Sequence, residues 1–484
     1  MKQLPIILLF LAVSLSSFGQ LRQFTREKQA FVDELTDLLQ EADKKEARVL
    51  MEESFAPFWL NGDIYNSGQQ EQIYDIADLM LKKRLRPFPF YKSFLVSIMS
   101  FPGSPQEGEG FDTWVEIIKV LEKGSKKKLE NFLTMTENLF VDNIFYQSAS
   151  TTWKANNAGW SFKLDGKDYR VVFPSTDLIC RAKGDSSVIY STGGEFDQQK
   201  EKWLGRDGKL TWERAGLDPN ETYAVIQNPY TLNIRSSFFK LDSVQFFNTF
   251  FQYPLLGSME DKILANVTPE NATYPQFSSY EKRLSIENIV DKVDYNGGFR
   301  MEGANLQGFG SKAEPAMLTF KRDNLPQLVA MAEYYTIKPD AVSSADAKVM
   351  IVLNNDSIIH PSLQLRYKNA TRLLTLIRSN EGLSKSPYFD TYHDLELYFE
   401  AFYWNIDDPI ITVDRWPAAA DVCWERLPRD AGNSAGHGSH TAAATLQPGR
   451  TAADAERARA PAEQLLRSGD RRLGLKLTGL GHRL

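Results

Sequence analysis

KLTWERAGL at residues 209–217 and MLTFKRDNL at residues 317–325 carry one phrase: Leu-Thr-aromatic-charged-Arg, two further residues, then Leu. The copies stand 108 positions apart. Each follows the same glycine signature. Gly193-Gly194-Glu195-Phe196 and then Gly205 precede the first, and Gly297-Gly298-Phe299 and then Gly308 precede the second. A partial third echo pairs DSSVIYS at Asp185 with DSIIHPS at Asp356, each after an apolar strand (DLIC; VMIVL). Units written this way stack, because each buries its apolar face on the next. The alternative is shared strand chemistry without repetition. On the repeat reading, the phrase is one core-facing strand in two stacked β units. Trp212 and Phe320 point inward, and Glu213, Arg214, Lys321 and Arg322 lie at strand ends or outside.

The surrounding sequence from residue 151 to 414 has the same texture, with Gly-rich turns and period-two alternation. WSFKLDG and YRVVFP read as strands. TDLICRAKGDSSVIYSTGGEF reads as strand, turn at Gly184-Asp185, strand, turn at Gly193-Gly194. One helix is expected within the β region, at SVQFFNTFFQYPLLGSMEDKIL. Two β units are expected, at about residues 160–255 and 280–414.

Residues 20–150 read differently. LTDLLQEADKKEARVL places Leu35, Leu38, Leu39 and Ala42 on one helical face, and QEQIYDIADLMLKKRL does the same with Ile73, Ile76, Ala77 and Met80. Arg86-Pro87 stops that helix. FDTWVEIIKVLEKG is a third, closing at Gly124, and KKKLENFLTMTENLFVDNIF a fourth, with FPGSPQEGEG as loop chemistry. The spacing predicts an all-α N-terminal domain of four to six helices. The expected fold class is therefore α+β and multidomain. A helical domain precedes a repeated antiparallel, stacked β region of solenoid or jellyroll type.

The chain's first residues, MKQLPIILLFLAVSLSSFGQ, combine a basic Lys2, an apolar core from Leu4 to Leu15, and small Ser17 and Gly19 before Gln20. This is a signal-peptide pattern over residues 1–19, and the apolar run is short for a membrane anchor. We expect an exported chain with no transmembrane helix in its mature part: periplasmic, outer-membrane-associated or extracellular. A net charge of −6 argues against non-specific nucleic-acid binding. Two cysteines, Cys180 and Cys423, make no disulfide framework.

Composition breaks at Trp416. All 30 Phe and 19 Tyr precede it, while the tail holds fourteen Ala and nine Arg. With ten basic and seven acidic residues the tail is net +3, so the rest of the chain stands at −9. The vanishing residues have A/T-rich codons and the new ones G/C-rich codons. We read residues 415–484 as out of frame, which makes the chain an N-terminal fragment of a longer protein. The alternative is a disordered Ala/Arg-rich tail. On the first reading Cys423, His437, His440 and His482 have no function.

Chemistry is sparse. His360, His393 and Cys180 are too few to form a zinc cluster, and no nucleotide fingerprint or nucleophile elbow occurs. YNGGFRMEGANLQGFG is Gly-rich but opens no βα unit, so no phosphate cradle, cofactor or metal is expected. Cys180 alternates with Leu178 and reads as core. The richest stretch is FDTYHDLELYFEAFYWN. As one strand it turns Leu395, Leu397, Phe399, Ala401 and Tyr403 inward. Tyr392, Asp394, Glu396, Tyr398, Glu400 and Phe402 then face outward. That row is the candidate ligand surface, for an envelope glycan, a lipid or a protein partner, and a solvated sheet face is its plain alternative. His393 sits at the edge, in a structural role. Acid pairs here (Asp390, Asp394, Glu396, Glu400) suit glycoside chemistry only if the fold sets them across a sugar.

The leader, the helical domain and stretches such as YEKRLSIENIVDKVDYNGGFRMEGANLQGFG and SPYFDTYHDLELYFEAFYWNIDDPI resemble a group of large exported proteins of Gram-negative bacteria with no assigned activity. The resemblance covers residues 1 to 413 and transfers no catalytic motif. The Gly-spaced strands are also similar in texture to the β-jellyroll of lipopolysaccharide-transport proteins. Export, repetition and the absence of a catalytic constellation in the sequence point to a non-enzymatic envelope or surface scaffold. A carbohydrate-active enzyme and a lipid or lipopolysaccharide carrier stand as alternatives. Sequencing the gene across the codons for residues 405–425 tests the frame: a single-base disruption is the expected result, and an intact frame makes the tail genuine.

Overall fold

The computed structural model describes residues 21–414 except 63, 252, 339, 354–355, 380 and 409, together with the short strands Trp424–Arg426 and Gly474–Leu477. The leader, and the tail apart from those two strands, lie outside the described residues. The chain is α+β: helices first, then a large antiparallel sheet. It divides into two compact units. The first runs to Arg206 and includes Tyr230–Ser236; the second holds Asp207–Pro229 and the chain from Ser237 onward. The helices thus share a unit with the first strands.

In the first unit, seven α-helical segments are described: Lys28–Gln40, Lys44–Leu50, Ala56–Leu60, Ser67–Lys82, Lys92–Ser100, Glu109–Glu122 and Lys126–Asp142. The expected first helix is two helices. Asp43 interrupts it by accepting the N–H groups of Lys45 and Glu46, which caps a new helix and leaves Ala42 exposed. Phe31, Val32, Leu35 and Leu39 form the buried face. Phe31 meets Tyr74 edge-on at 4.7 Å, beside Ile73, Ile76, Ala77 and Met80, all buried as the periodicity requires. The last helix ends at left-handed Asn143, so Ile144 and Phe145, expected to be helical, begin the strand Ile144–Gln147. Phe132 of that helix packs on Phe162 and Tyr169 of the sheet at 5.7 and 5.1 Å.

Two sequence expectations for the β region are corrected. Gly193-Gly194 is no turn but lies inside the strand Asp185–Asp197. A Cβ at Gly194 would sit 2.7 Å from the Trp203 ring, so glycine is there for a close approach. The segment expected as a helix forms the strands Phe238–Phe247 and Leu255–Lys262, paired with each other. Its dense aromatic run hid a period of two, in which Val244 and Phe246 are buried and Gln245 and Phe247 are not. Phe246 stacks on Phe277 at 4.3 Å.

The doubled phrase proves to be a doubled pattern of strand pairing. In the first unit Asp185–Asp197 pairs with Lys202–Arg206, which pairs with Tyr230–Asn233. In the second, Lys209–Thr211 pairs with Tyr223–Ile226, that strand with Phe238–Phe247, and that with Leu255–Lys262. The same five pairings recur. Val293–Glu302 joins Asn305–Phe309, which joins Tyr334–Ile337. Ala316–Arg322, Leu325–Ala332, Ala341–Leu353 and Asp356–Lys368 then pair in turn. Register agrees too. Gly205 faces Tyr230 as Gly308 faces Tyr335, and Leu210 faces Ala224 as Leu318 faces Ala330.

Trp212 and Phe320 are both fully buried, as expected. They differ locally: Phe320 lies within its strand, whereas Trp212 leads into the 3-10 turn Glu213–Ala215 and donates Nε1–H to Pro275 O at 3.1 Å. Arg214, expected outside, reaches back to hold buried Asp261 with two 2.9 Å bonds. The DSS and DSI echo is not part of the repeat. Asp185 and Asp356 each open the second strand of a hairpin, facing Ala182 and Leu353, but at different places in the pairing order.

Long strands in the second unit serve two ladders. Val293–Glu302 gives its first half to Ala316–Arg322 and its second to Asn305–Phe309. Asp356–Lys368 does the same with Tyr388–Asp390 and Leu373–Ile377. One cross-strand row runs Met259, Phe277, Met301, Leu306, Ile337, Val342, Tyr367, Leu374, Trp404, and none of the nine is more than 4% exposed. The period-two rule then fixes the opposite face as solvent-facing.

The glycine seats give a direct test. A Cβ at Gly308 would lie 2.6 Å from the Tyr295 ring, and one at Gly205 only 2.2 Å from the Tyr230 ring. Gly308→Ala and Gly205→Ala should each destabilise the protein by about 1–3 kcal/mol through overpacking, read as a lowered urea midpoint at unchanged slope.

Candidate functional site

The stretch singled out in the sequence does not form one strand. It makes three: Tyr388–Asp390, Leu395–Leu397 and Ala401–Asn405. Asp390 causes the first break. Its carboxylate accepts the N–H groups of Tyr392 (2.9 Å) and His393 (3.4 Å), and the His393 Nδ1–H at 2.8 Å. Thr391 locks the turn to Ser357 through N–H and hydroxyl bonds. Asp394 closes it with a left-handed φ of 58°. His393 therefore serves the turn. The alternation restarts afterwards: Phe402 and Trp404 are buried and Tyr403 is half-exposed, the reverse of the expected facing.

The candidate residues consequently separate. Tyr392 stands on the turn, 62% exposed, and Asp394 beside it. The other three gather around Arg378. Tyr398 donates its hydroxyl to Glu396 at 2.8 Å, its ring lies 5.9 Å from the Arg378 guanidinium, and Arg378 reaches Glu400 at 3.8 Å. Arg378 also donates to Ser384 O and Lys385 O. The arrangement holds a surface cluster in place; each acid already has a partner within it. Phe399, expected inward, is buried and stacks on Tyr388 at 4.1 Å.

Sequence reasoning gave His360 no role. It is fully buried, in the repeat position that Leu255 occupies in the first copy: Val349 faces His360 as Phe246 faces Leu255. The Ser362 N–H donates to Nδ1 at 3.1 Å, so that nitrogen carries a lone pair, and Nε2–H donates to Ser386 O at 2.9 Å. The ring is neutral and lies 4.5 Å from Tyr388. Burial, with Arg378 nearby, pushes its pKa down to about 4, despite the opposing bond to Ser386. Burial raises the Tyr388 hydroxyl, which has no hydrogen-bond partner among the described residues. Cys180 is buried in alternation with Leu178.

Two larger features emerge only from the fold. On the solvent face of the long ladder, register sets Ser258, Ser278, Arg300, Gln307, Thr336, Ser343, Arg366, Thr375 and Tyr403 in one row. None is buried and none is a carboxylate. Nine strands contribute one residue each, so no local motif could announce the row. In the first unit, a groove of about 1720 Å³ opens between the helices Lys28–Gln40, Ser67–Lys82 and Glu109–Glu122. Its floor includes Leu38, Leu79, Val115 and Ile118, and its rim Asp37, Glu41, Lys82, Lys119 and Glu122. Among the described residues no three His, Cys, Asp or Glu side chains are grouped as metal ligands, and no helix is long and apolar enough to cross a membrane. Compared with known proteins, the chain matches no protein-family model, no curated protein and no solved structure.

His360 makes stability depend on acid. Its folded pKa lies below the ordinary 6.5, so the unfolded chain binds the extra proton as pH falls from 6.5 towards 4. The histidine therefore costs nothing near pH 7 and about 3 kcal/mol by pH 4. His360→Leu, which copies Leu255, should remove that loss. In urea titrations at pH 7, 5.5 and 4, the stability difference between variant and parent should grow in the variant's favour by about that amount as pH falls; a pH-independent difference defeats the assignment.

Proposed function

We propose that the chain is an exported cell-envelope or surface protein that works as a non-enzymatic binding scaffold, with its β region a stack of repeated strand units of solenoid or jellyroll type. The recurring set of five strand pairings supports the stacked reading. The signal-peptide pattern of residues 1–19 supports export. One observation carries the binding role: the nine-strand outward row of hydroxyl, amide, guanidinium and phenol groups, backed by an inward row that is apolar throughout. Such groups exchange hydrogen bonds with a hydroxyl-rich polymer, so the favoured partner is an envelope glycan. The cluster of Glu396, Tyr398 and Glu400, tied to Arg378, serves as a structural part of this surface.

The groove in the helical region favours a second reading, carriage of a lipid acyl chain on its apolar floor. Organic extraction of the purified protein followed by mass spectrometry separates the two: a stoichiometric lipid supports carriage, and none removes it.

For the scaffold, the mature chain beginning at Gln20 should co-sediment saturably with purified envelope polysaccharide. Arg366→Ala with Tyr403→Ala should weaken that binding at least fivefold at unchanged melting temperature. Polysaccharide turnover that disappears in Glu396→Ala with Glu400→Ala, folding intact, would replace the scaffold with a carbohydrate-active enzyme.

A further inference from the structure

We infer that Phe309 and Tyr334, with Arg300 and Gln307 beside them, form a subsite for an acidic glycan. The inference rests on the scaffold reading and gives it a ligand class and a place. The two aromatics stand on the solvent face of paired strands. Phe309 pairs with Tyr334 on one side and with Gly298 on the other. Strand spacing of ~4.8 Å sets the two residues side by side across the sheet. Tyr334 is 60% exposed.

The glycine-rich sequence that made no phosphate cradle here makes an aromatic seat. A Cβ at Gly298 would lie 2.6–2.9 Å from three Phe309 ring carbons, so the glycine leaves room for the ring to lie over the backbone. Such ring-on-glycine packing stabilises a sheet by itself and would account for Phe309 alone. It does not account for Tyr334, a large aromatic left mostly in water on the next strand.

The neighbouring row supplies the polar half of the site. The Arg300 guanidinium is 5.4 Å from the Phe309 centroid, and its Nε–H donates to the Ser278 hydroxyl at 3.1 Å. Its Nη1 is 3.9 Å from Glu302, too long for a hydrogen bond, so that edge keeps donors to offer. Gln307 donates to Glu302 at 3.0 Å and retains its carbonyl oxygen as an acceptor. A sugar ring has this same division, with C–H groups on its faces for aromatic rings and hydroxyls on its rim for amides and guanidinium. Charge selects among sugars. Glu302, 3.9 Å from Arg300, offsets part of its charge, but the row itself holds Arg300 and Arg366 and no carboxylate, which suits a chain bearing uronate or other anionic groups.

Affinity electrophoresis of the mature chain in gels cast with polygalacturonate or neutral dextran tests this. Polygalacturonate should retard the protein and dextran should not. Tyr334→Ala should weaken retardation about tenfold, Tyr334→Phe should keep it, and Arg300→Gln should remove the preference for the acidic polymer, all at unchanged melting temperature. Retardation untouched by Tyr334→Ala and Arg300→Gln overturns the subsite. So does a chain that co-sediments with envelope polysaccharide yet ignores polygalacturonate, and in both cases the scaffold reading stands. A chain that binds neither overturns both.

Discussion

A tyrosine ring laid against a glycine in the sheet fixes the register on which the rest of the β structure depends. The Tyr230 ring occupies the space a Cβ at Gly205 would take, and Tyr295 does the same at Gly308. Each glycine also faces a tyrosine across the ladder, Gly205 with Tyr230 and Gly308 with Tyr335. Polar anchors hold both rings: the Tyr230 hydroxyl is 2.7 Å from Thr192 Oγ1, and Tyr295 donates to Gly298 O. A strand slipped by one residue would turn a ring outward and set a side chain against the core. The seats therefore choose one pairing among several that strand propensity alone would permit. In the second unit, the buried and exposed rows both cross the strands Asn305–Phe309 and Tyr334–Ile337 in the register that the Gly308 seat shares.

The helices were legible because each carries its own signal. Three-to-four-residue spacing placed Ile73, Ile76, Ala77 and Met80 correctly without reference to any other segment. Where the reading failed locally, a side chain had altered the backbone's options: Asp43 capped a new helix inside an apparently continuous one. The β region was legible as strands and as a repeat, through Trp212 and Phe320 and the glycines before them. It misled where apolar density masked periodicity, as at Phe246 and Phe247, and where glycine was taken for a turn. Gly193 and Gly194 sit mid-strand because close neighbours, not chain reversal, demand them: the Pro174 carbonyl at Gly193 and the Trp203 indole at Gly194.

The candidate surface was less legible, for a topological reason. Its residues come one from each of nine strands, and the register that aligns them is long-range. A single segment offers only its own alternation, and at residues 388–405 even that was reset. Asp390 was visible in the sequence as an acid. Its decisive property, a carboxylate turned back on the N–H groups of the next residues, is turn chemistry that the apolar pattern around it outweighed.

The comparison of the two copies shows how a buried polar group can specify a surface. In the first copy Phe246 faces Leu255, and the contact is apolar and undirected. In the second Val349 faces His360, so the ring has moved to the neighbouring strand and acquired two nitrogens. Buried nitrogens need partners, and these are directional: Ser362 N–H on one side, Ser386 O on the other. The second bond holds the end of the short 3-10 segment Gly382–Lys385. Ser384 O and Lys385 O, within that segment, receive the Arg378 guanidinium that meets Glu400 and Tyr398 at the surface. A leucine at this position would supply apolar contact but would take these partners from Ser362 N–H and Ser386 O, and would aim nothing. The imidazole, neutral because it is buried, links core packing to the placement of an arginine two contacts away.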